Sequence, residues 1–357
     1  MERRILGRSG LEVGVVGLGV EHLIPERGNM DEVLDLAVSE GCEYIDLVYN
    51  DPDGIYAGHW KAITPALRRH RDRLTLAAHW GFVAHETIEH CRNCFERVLE
   101  CVGNDYVEVA VLTMVDSESV WREWARESIQ ILRQYQKQGR VGVIGLSGHY
   151  PQVARVAVES GEIDVLMFPV NLYQHDVYPE CRALLERCAE SGVGVVAMKP
   201  YYGGRLLHSE GRPTGITAIQ CLHYVLSQPV ATVVPGARDA DELRWALRYT
   251  RASRQEKAYE PLREQLSDRL RGQCVMCRHC LPCPKEISIP ELISCLDYVE
   301  HYGHGPHHDR GSRQLYASMK AKGSDCSECG VCLERCPFHV DIIGKMRRAA
   351  VVFEGRS

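Results

Sequence analysis

The sequence lacks long apolar runs: nothing in it approaches the ~18 consecutive apolar residues that suggest a membrane span. Its opening, MERRILGRSG, has no apolar core of the kind that directs secretion. Charge of one sign is missing too. Forty-two lysines and arginines stand against 48 aspartates and glutamates, interspersed, for a net charge of −6. That balance leaves no basic footprint for nucleic acid. Short basic clusters such as LRRHRDR (67–73) read as solvated helix ends. No strand–GxGxxG–helix fingerprint is present, which weakens the case for a doubly wound dinucleotide-binding sheet. Together these absences give the expectation of a cytoplasmic protein with neither membrane nor nucleic acid as partner. Thiols persist there as thiols or bind metal, so the 16 cysteines are not read as a disulfide framework.

What the chain does have, up to about residue 250, is alternation. Short apolar runs occur at 12–19, 44–49, 74–81, 107–114, 141–148, 164–171, 194–200 and 231–237. Helix-like stretches such as MDEVLDLAVSEG (30–41) and ESVWREWARESIQILRQYQKQG (118–139) lie between them. Buried strands at roughly 30-residue spacing imply parallel pairing through right-handed helical crossovers. Eight such units suit a closed (β/α)8 TIM barrel better than an open sheet. The barrel is expected over 1–266, with ASRQEKAYEPLREQL (252–266) as a charged helix leading out of it. A small ferredoxin-like domain is expected over 267–357, containing a His-rich piece at 301–309 that reads as a solvated loop.

The second domain rests on two cysteine runs. Cys326, Cys329, Cys332 and Cys336 follow C-x2-C-x2-C-x3-C-P, the bacterial ferredoxin spacing. Cys274, Cys277, Cys280 and Cys283 repeat the device with one residue fewer before the last cysteine. In two-cluster ferredoxins the fourth cysteine of a run serves the other cluster. By that crossed rule Cys336 completes the first site and Cys283 the second, giving two 4Fe–4S clusters. Zinc is the competing reading, because CxxC pairs also build tetrahedral zinc sites. A trailing Cys-Pro in both runs fits a zinc ribbon poorly. Cys295 is close enough to substitute as a ligand but reads as a helix-core thiol. Cys42, Cys91, Cys94, Cys101, Cys181, Cys188 and Cys221 read as helix packing.

RRILGRSGLEVGVVGLG resembles the start of aldo-keto reductases, a capping hairpin followed by the first barrel strand. YIDLVY, DYVEVAVLTMVD, GVIGLSGHYPQVARVAVESGEIDVLMFPVNL, GVVAMKPYYGGRL and ATVVPGARDADEL resemble further blocks of that family, in order. With the cysteine runs, the chain is similar to the family's iron–sulfur branch. The resemblance implies hydride delivery from NADP(H) to a carbonyl by an aspartate, tyrosine, lysine and histidine. Asp46 matches the aspartate. Asp51 stands at the tyrosine position, with Tyr49 and Tyr56 as displaced candidates, His79 at the lysine position and Thr113 at the histidine position. In the implied cofactor pocket Ser147 is kept, while Gly148, Met167 and Met198 replace an asparagine, a glutamine and an aromatic residue. Gly236 and Arg238 suit a phosphate, but Glu242 stands where an arginine often meets the 2′-phosphate.

Barrel chemistry gathers at the C-terminal strand ends. The polar residues expected there are His22, Asp46, Tyr49, His79, Thr113, His149, Asn171 and Lys199. Asp46, Tyr49, His79 and His149 are the catalytic candidates. Ser147, Asn171, Lys199, Gly236 and Arg238 are the cofactor-binding ones. Imidazole at position 79 can both give and take a proton near neutral pH, which a lysine does not readily do. The leading expectation is an oxidoreductase whose clusters exchange single electrons with a redox-active small molecule or partner protein at the barrel mouth. The alternatives are an NADP(H)-dependent carbonyl reductase with a remodelled pocket, a non-catalytic electron-transfer subunit, and a metal site built from His22, His79 and His149.

Overall fold

The computed structural model describes residues 1–25, 30–54, 56–81, 86–173, 179–209, 212–262, 268, 270–302 and 306–355. The chain opens with an antiparallel hairpin, β1 (Arg3–Ile5) and β2 (Glu12–Gly14). The parallel strands follow: β3 (Leu18–Gly19), β4 (Tyr44–Leu47), β5 (Thr75–Trp80), β6 (Val107–Leu112), β7 (Val141–Ser147), β8 (Val165–Pro169) and β9 (Gly194–Met198). A two-strand ribbon, β10 (His208–Ser209) and β11 (Arg212–Pro213), precedes the last strand, β12 (Thr232–Val234). Neighbouring strands pair in chain order from β3 to β9, and β12 pairs with β9. Bridges from Val16 to Val233 and from Gly19 to Gly236 join the first strand to the last. The sheet is a closed (β/α)8 barrel. The expected run 12–19 is divided, its first half in the hairpin and its second in the barrel.

Strands covered on both faces read as unbroken apolar sequence, which is why the runs were recognisable. Val109 and Val111 of β6, Val165 and Met167 of β8, Val196 of β9 and Val234 of β12 share one buried cluster with Leu6 and Val13 of the hairpin. The hairpin closes on the start of β9 so tightly that glycine is needed. Gly7 has φ +54°, and a Cβ there would lie 2.2 Å from the Gly194 nitrogen. Outside the barrel, Trp80 is fully buried, its ring 5.4 Å edge-to-face from Phe95 on the helix Ile88–Val102. Burying such a side chain stabilises by about 1.5–3 kcal/mol. Successive strand residues face opposite ways, so anchoring Trp80 among the helices turns its neighbour His79 inward.

Two expectations change. LRRHRDR is no simple solvated helix end. Arg71 is buried, and its guanidinium meets the Glu108 carboxylate at 3.1 Å and the Tyr106 carbonyl at 2.8 Å. The charged helix over 252–266 is also interrupted. Its first turn, Arg254–Lys257, ends at Ala258. Pro261 lacks an N–H and its ring would clash with the carbonyl four residues back, so the chain must break there and restart.

The chain divides into two compact units, Met1–Pro200 with Ala218–Ala258, and Tyr201–Thr217 with Tyr259–Ser357. The boundary expected after residue 266 falls outside the described residues, as do positions 303–305 and the side chains of the His-rich piece. In the second unit the helix Ile289–Asp297 packs against the helix Ile342–Glu354. Each begins at an isoleucine six residues beyond the last cysteine of a run, Cys283 or Cys336. No helix among the described residues is long and apolar enough to cross a membrane.

Candidate functional site

Three adjacent strands carry a buried polar chain. His79 at the end of β5 places Nε2 2.8 Å from the Asp46 carboxylate on β4. Its Nδ1 lies 2.9 Å from the hydroxyl of Thr113, just past β6. All three residues are at most 8% exposed. Asp46 is the natural acceptor, so Nε2 carries the hydrogen and Nδ1 accepts from Thr113. The Thr113 hydroxyl has a second acceptor, the Val111 carbonyl at 3.4 Å. It can therefore turn to accept from Nδ1 when the ring is doubly protonated. A fixed lysine would offer no such exchange.

A second group forms around His149. Its Nδ1 is 2.9 Å and its amide nitrogen 2.6 Å from the Asp116 carboxylate. Its Nε2 is 2.8 Å from the Lys199 ammonium. Burial, then the neighbouring Lys199 charge, hold the His149 pKa below its ordinary value, although Asp116 pulls the other way. Burial opposes ionisation of Asp116, but the hydrogen bonds and charge of His149 outweigh it and keep the carboxyl below the usual range. The neutral ring thus donates from Nδ1 to Asp116 and accepts from Lys199. Lys199 adopts φ +54°, a costly conformation for a side-chain-bearing residue.

The other candidates are more scattered. Tyr49 is buried, its hydroxyl donates to the Val20 carbonyl, and burial drives its pKa up. Tyr56 packs on it at 4.8 Å, its own pKa pushed up to about 12 by burial. Ser147 accepts from the Met114 amide at 3.1 Å. Asn171 is fully buried, with its side-chain amide 3.4 Å from the Lys199 carbonyl. Gly236 leaves room for the His22 ring, since a Cβ would fall 2.6 Å from His22 Cδ2. Arg238 folds back on Glu242, which accepts from its amide at 2.9 Å and its Nε at 2.7 Å. His79 and His149 have their ring nitrogens engaged elsewhere, so His22, His79 and His149 do not form a metal-ligand group among the described residues.

Sequence reasoning missed Asp116. It lies three residues beyond Thr113, in the loop after β6, and meets His149 in the loop after β7. The adjacency of parallel strands β6 and β7 was the available signal.

In the second unit, one cavity is lined by Cys274, Cys277, Cys280 and Cys336. Another is lined by Cys280, Cys283, Cys326, Cys329 and Cys332. Left-handed turns at Met276, Arg278 and Glu328 curl the two loops. The Val340 amide points at Cys336 Sγ from 3.5 Å. Cys295 lies buried in its helix and lines neither cavity.

Residues 13–218, more than half of the chain, match the sequence profile of the aldo/keto reductase family. The chain belongs to the aldo/keto reductase family. It is similar to the Uncharacterized oxidoreductase YqkF of Bacillus subtilis (strain 168), at 22% identity over 71% of this chain and 92% of that protein. It also matches the Probable aldo-keto reductase 1 of Glycine max, at 24% identity over 56% of this chain and 60% of that one. The holo form of the aldo-keto reductase AKR11C1 from Bacillus halodurans superposes with a TM-score of 0.59, at 20% identity, over 72% of this chain and 94% of that chain. Likeness at that level shows the shared barrel. As an aldo/keto reductase, the protein is an oxidoreductase of that superfamily.

Proposed function

We propose that this aldo/keto reductase is of the iron–sulfur kind, joining two 4Fe–4S clusters to a barrel whose proton chemistry has been rebuilt. The observation that carries the reading is the crossed lining of the two cavities. One gathers three cysteines of the first run and the last of the second. The other gathers three of the second run and the last of the first, with Cys280 also in its wall. Crossing of the last cysteines is what two-cluster ferredoxins require. The residues therefore fit the group: Cys274, Cys277, Cys280 and Cys336 would hold one cluster, and Cys283, Cys326, Cys329 and Cys332 the other. When bound, such clusters supply one electron at a time.

The chain's own groups handle the protons. His79, held by Asp46 and backed by the rotating Thr113 hydroxyl, exchanges a proton at the barrel mouth. His149, with Lys199 and Asp116, offers a second relay. The ligand at the mouth is a redox-active small molecule or the reactive group of a partner protein, taking electrons and protons together.

NADP(H) fits these residues poorly. The Arg238 guanidinium already faces the Glu242 carboxylate, which would repel the 2′-phosphate. Neither His79 nor Thr113 supplies the fixed cation that the family chemistry sets beside a catalytic tyrosine, and the Tyr49 hydroxyl is already engaged.

Anaerobic purification tests the reading. About eight irons per chain are expected, with visible charge-transfer absorbance. Stoichiometric zinc and a colourless protein would overturn it. Vigorous reduction of simple aldehydes with NADPH would instead favour the inherited carbonyl reductase.

A further inference from the structure

Away from the barrel's polar chain, Asp51, His90 and Cys94 bring one ligand atom each to within 4.8 Å of one another. His90 and Cys94 stand four apart on the helix Ile88–Val102, so they share a face. Cys94 Sγ is 3.5 Å from His90 Nε2. Metal bonds of ~2.0–2.3 Å set ligand atoms about 3.3–3.8 Å apart around a tetrahedral ion. The helix pair already has that spacing.

The third ligand arrives from the loop after β4, and the structure holds that loop in place. Asp53 forms an ion pair with Arg97 of the same helix, at 2.7 Å to Nε and 3.1 Å to Nη2. The Asp51 carboxylate accepts the Asp53 amide at 3.2 Å, closing a tight turn. Gly54 completes the arrangement, since a Cβ there would lie 1.9 Å from Asp51 Oδ2 and displace the carboxylate. The helix start is fixed by Thr87, whose hydroxyl accepts from the His90 amide at 3.2 Å.

We propose that Asp51, His90 and Cys94 form a binding site for a single divalent transition-metal ion of the zinc type. The donor set is one carboxylate, one imidazole and one thiolate. That mixture is borderline in softness and suits Zn2+ over Mg2+ or Ca2+. Asp51 and a deprotonated Cys94 carry two negative charges, which a divalent ion neutralises. The exposed His90 gives solvent access, leaving water as fourth ligand, as in zinc sites with three protein ligands. Without a cation, burial and the adjacent Asp51 carboxylate push the Cys94 thiol up to about 12. Bound metal would fasten the loop 51–54 to the helix. The site lies wholly within the barrel unit and is independent of the cysteine runs.

The test is cobalt titration of the full-length protein purified with its iron and freed of weakly held divalent ions by mild chelation, with difference spectra read against the same sample before cobalt is added. One equivalent of Co2+ should produce thiolate-to-cobalt charge transfer and the visible bands of a tetrahedral ion. Both should disappear in Cys94→Ser, while iron content and circular dichroism stay unchanged. Gly54→Ala removes no ligand but shifts the carboxylate. It should weaken cobalt binding about 10–100-fold, as changes just outside a metal's own ligands do. If the wild type and Cys94→Ser give the same cobalt spectrum, or Gly54→Ala binds as tightly as wild type, the trio is hydrogen-bonded packing and the proposal fails.

Discussion

Lys199 and His149 put two basic nitrogens 2.8 Å apart, and only one of them can hold a proton comfortably. The sign of the linkage follows. His149 has its pKa lowered in the fold from an ordinary 6.5. Below that pH the unfolded chain takes up a proton that the folded one refuses, so this residue's contribution to stability is lost as pH falls from 6.5 toward the folded value. Lys199→Met removes the like charge. The His149 titration midpoint should rise, followed by NMR of the labelled imidazole, and the drop in denaturant midpoint between pH 7 and pH 5.5 should shrink. A midpoint that stays put would show that burial alone sets it. At His79 the expected outcome is kinetic. His79→Gln preserves size and hydrogen bonding but cannot exchange a proton, and loss of a general acid or base typically costs about 100- to 10,000-fold in rate. On the proposed reading, the variant should keep the wild-type iron content while losing turnover and its pH dependence. Unchanged activity would make His79 a space-filler. His79 and Asp46 could be named from strand-end position in the sequence. Asp116 needed a further step, the side-by-side placement of the loops after β6 and β7 that brings it to His149.

Among elements, the segment 201–217 has the clearest electrostatic consequence. It belongs to the second unit, and there Arg205 is almost wholly buried. Arg205 faces Asp297 at 3.7 Å, and Asp297 also accepts from Lys345 at 2.7 Å. Tyr202 donates its hydroxyl to the carbonyl of Val275, next to Cys274. Two cations against one carboxylate leave a net positive charge; burial pushes the Cys274 thiol up to about 12, and the Arg205 charge works against that rise. Positive charge favours the reduced, more negative state of a cluster. On the proposed cluster reading, Arg205→Met should therefore lower the reduction potential of the cluster held by Cys274 in an EPR-monitored redox titration, with Asp297 still paired to Lys345. An unchanged potential would separate Arg205 from the cluster environment. Nothing in GGRL marked this arginine as buried. A charged residue in a Gly-rich stretch reads as exposed loop, and only tertiary pairing reverses that reading.

At the scale of the whole molecule, the barrel was legible because strands enclosed on both faces cannot hide their apolar sequence. The two cysteine runs stood out by their repeated spacing, and the cluster reading of them is the part still to be tested. The break at Ala258 is signalled by Pro261, which outweighs the helix that charge pattern alone suggests. The interleaving of the units was not legible at all, since residues 201–217 sit between two stretches that fold with the barrel. That interleaving matters for how the protein is made. During synthesis the ribosome delivers Tyr201–Thr217 before any of the residues they will fold with beyond Tyr259. Until the last stretch emerges, Arg205 has no Asp297 and Tyr202 no Val275. A chain stopped at Ala258 is fixed permanently at that stage. Such a fragment should accumulate in inclusion bodies or expose residues 201–217 to limited proteolysis, whereas the full chain resists cleavage there. Equal resistance would show that the segment is held without the C-terminal stretch. The second unit is therefore no detachable appendage: the order in which the chain is written delays its completion to the last stretch.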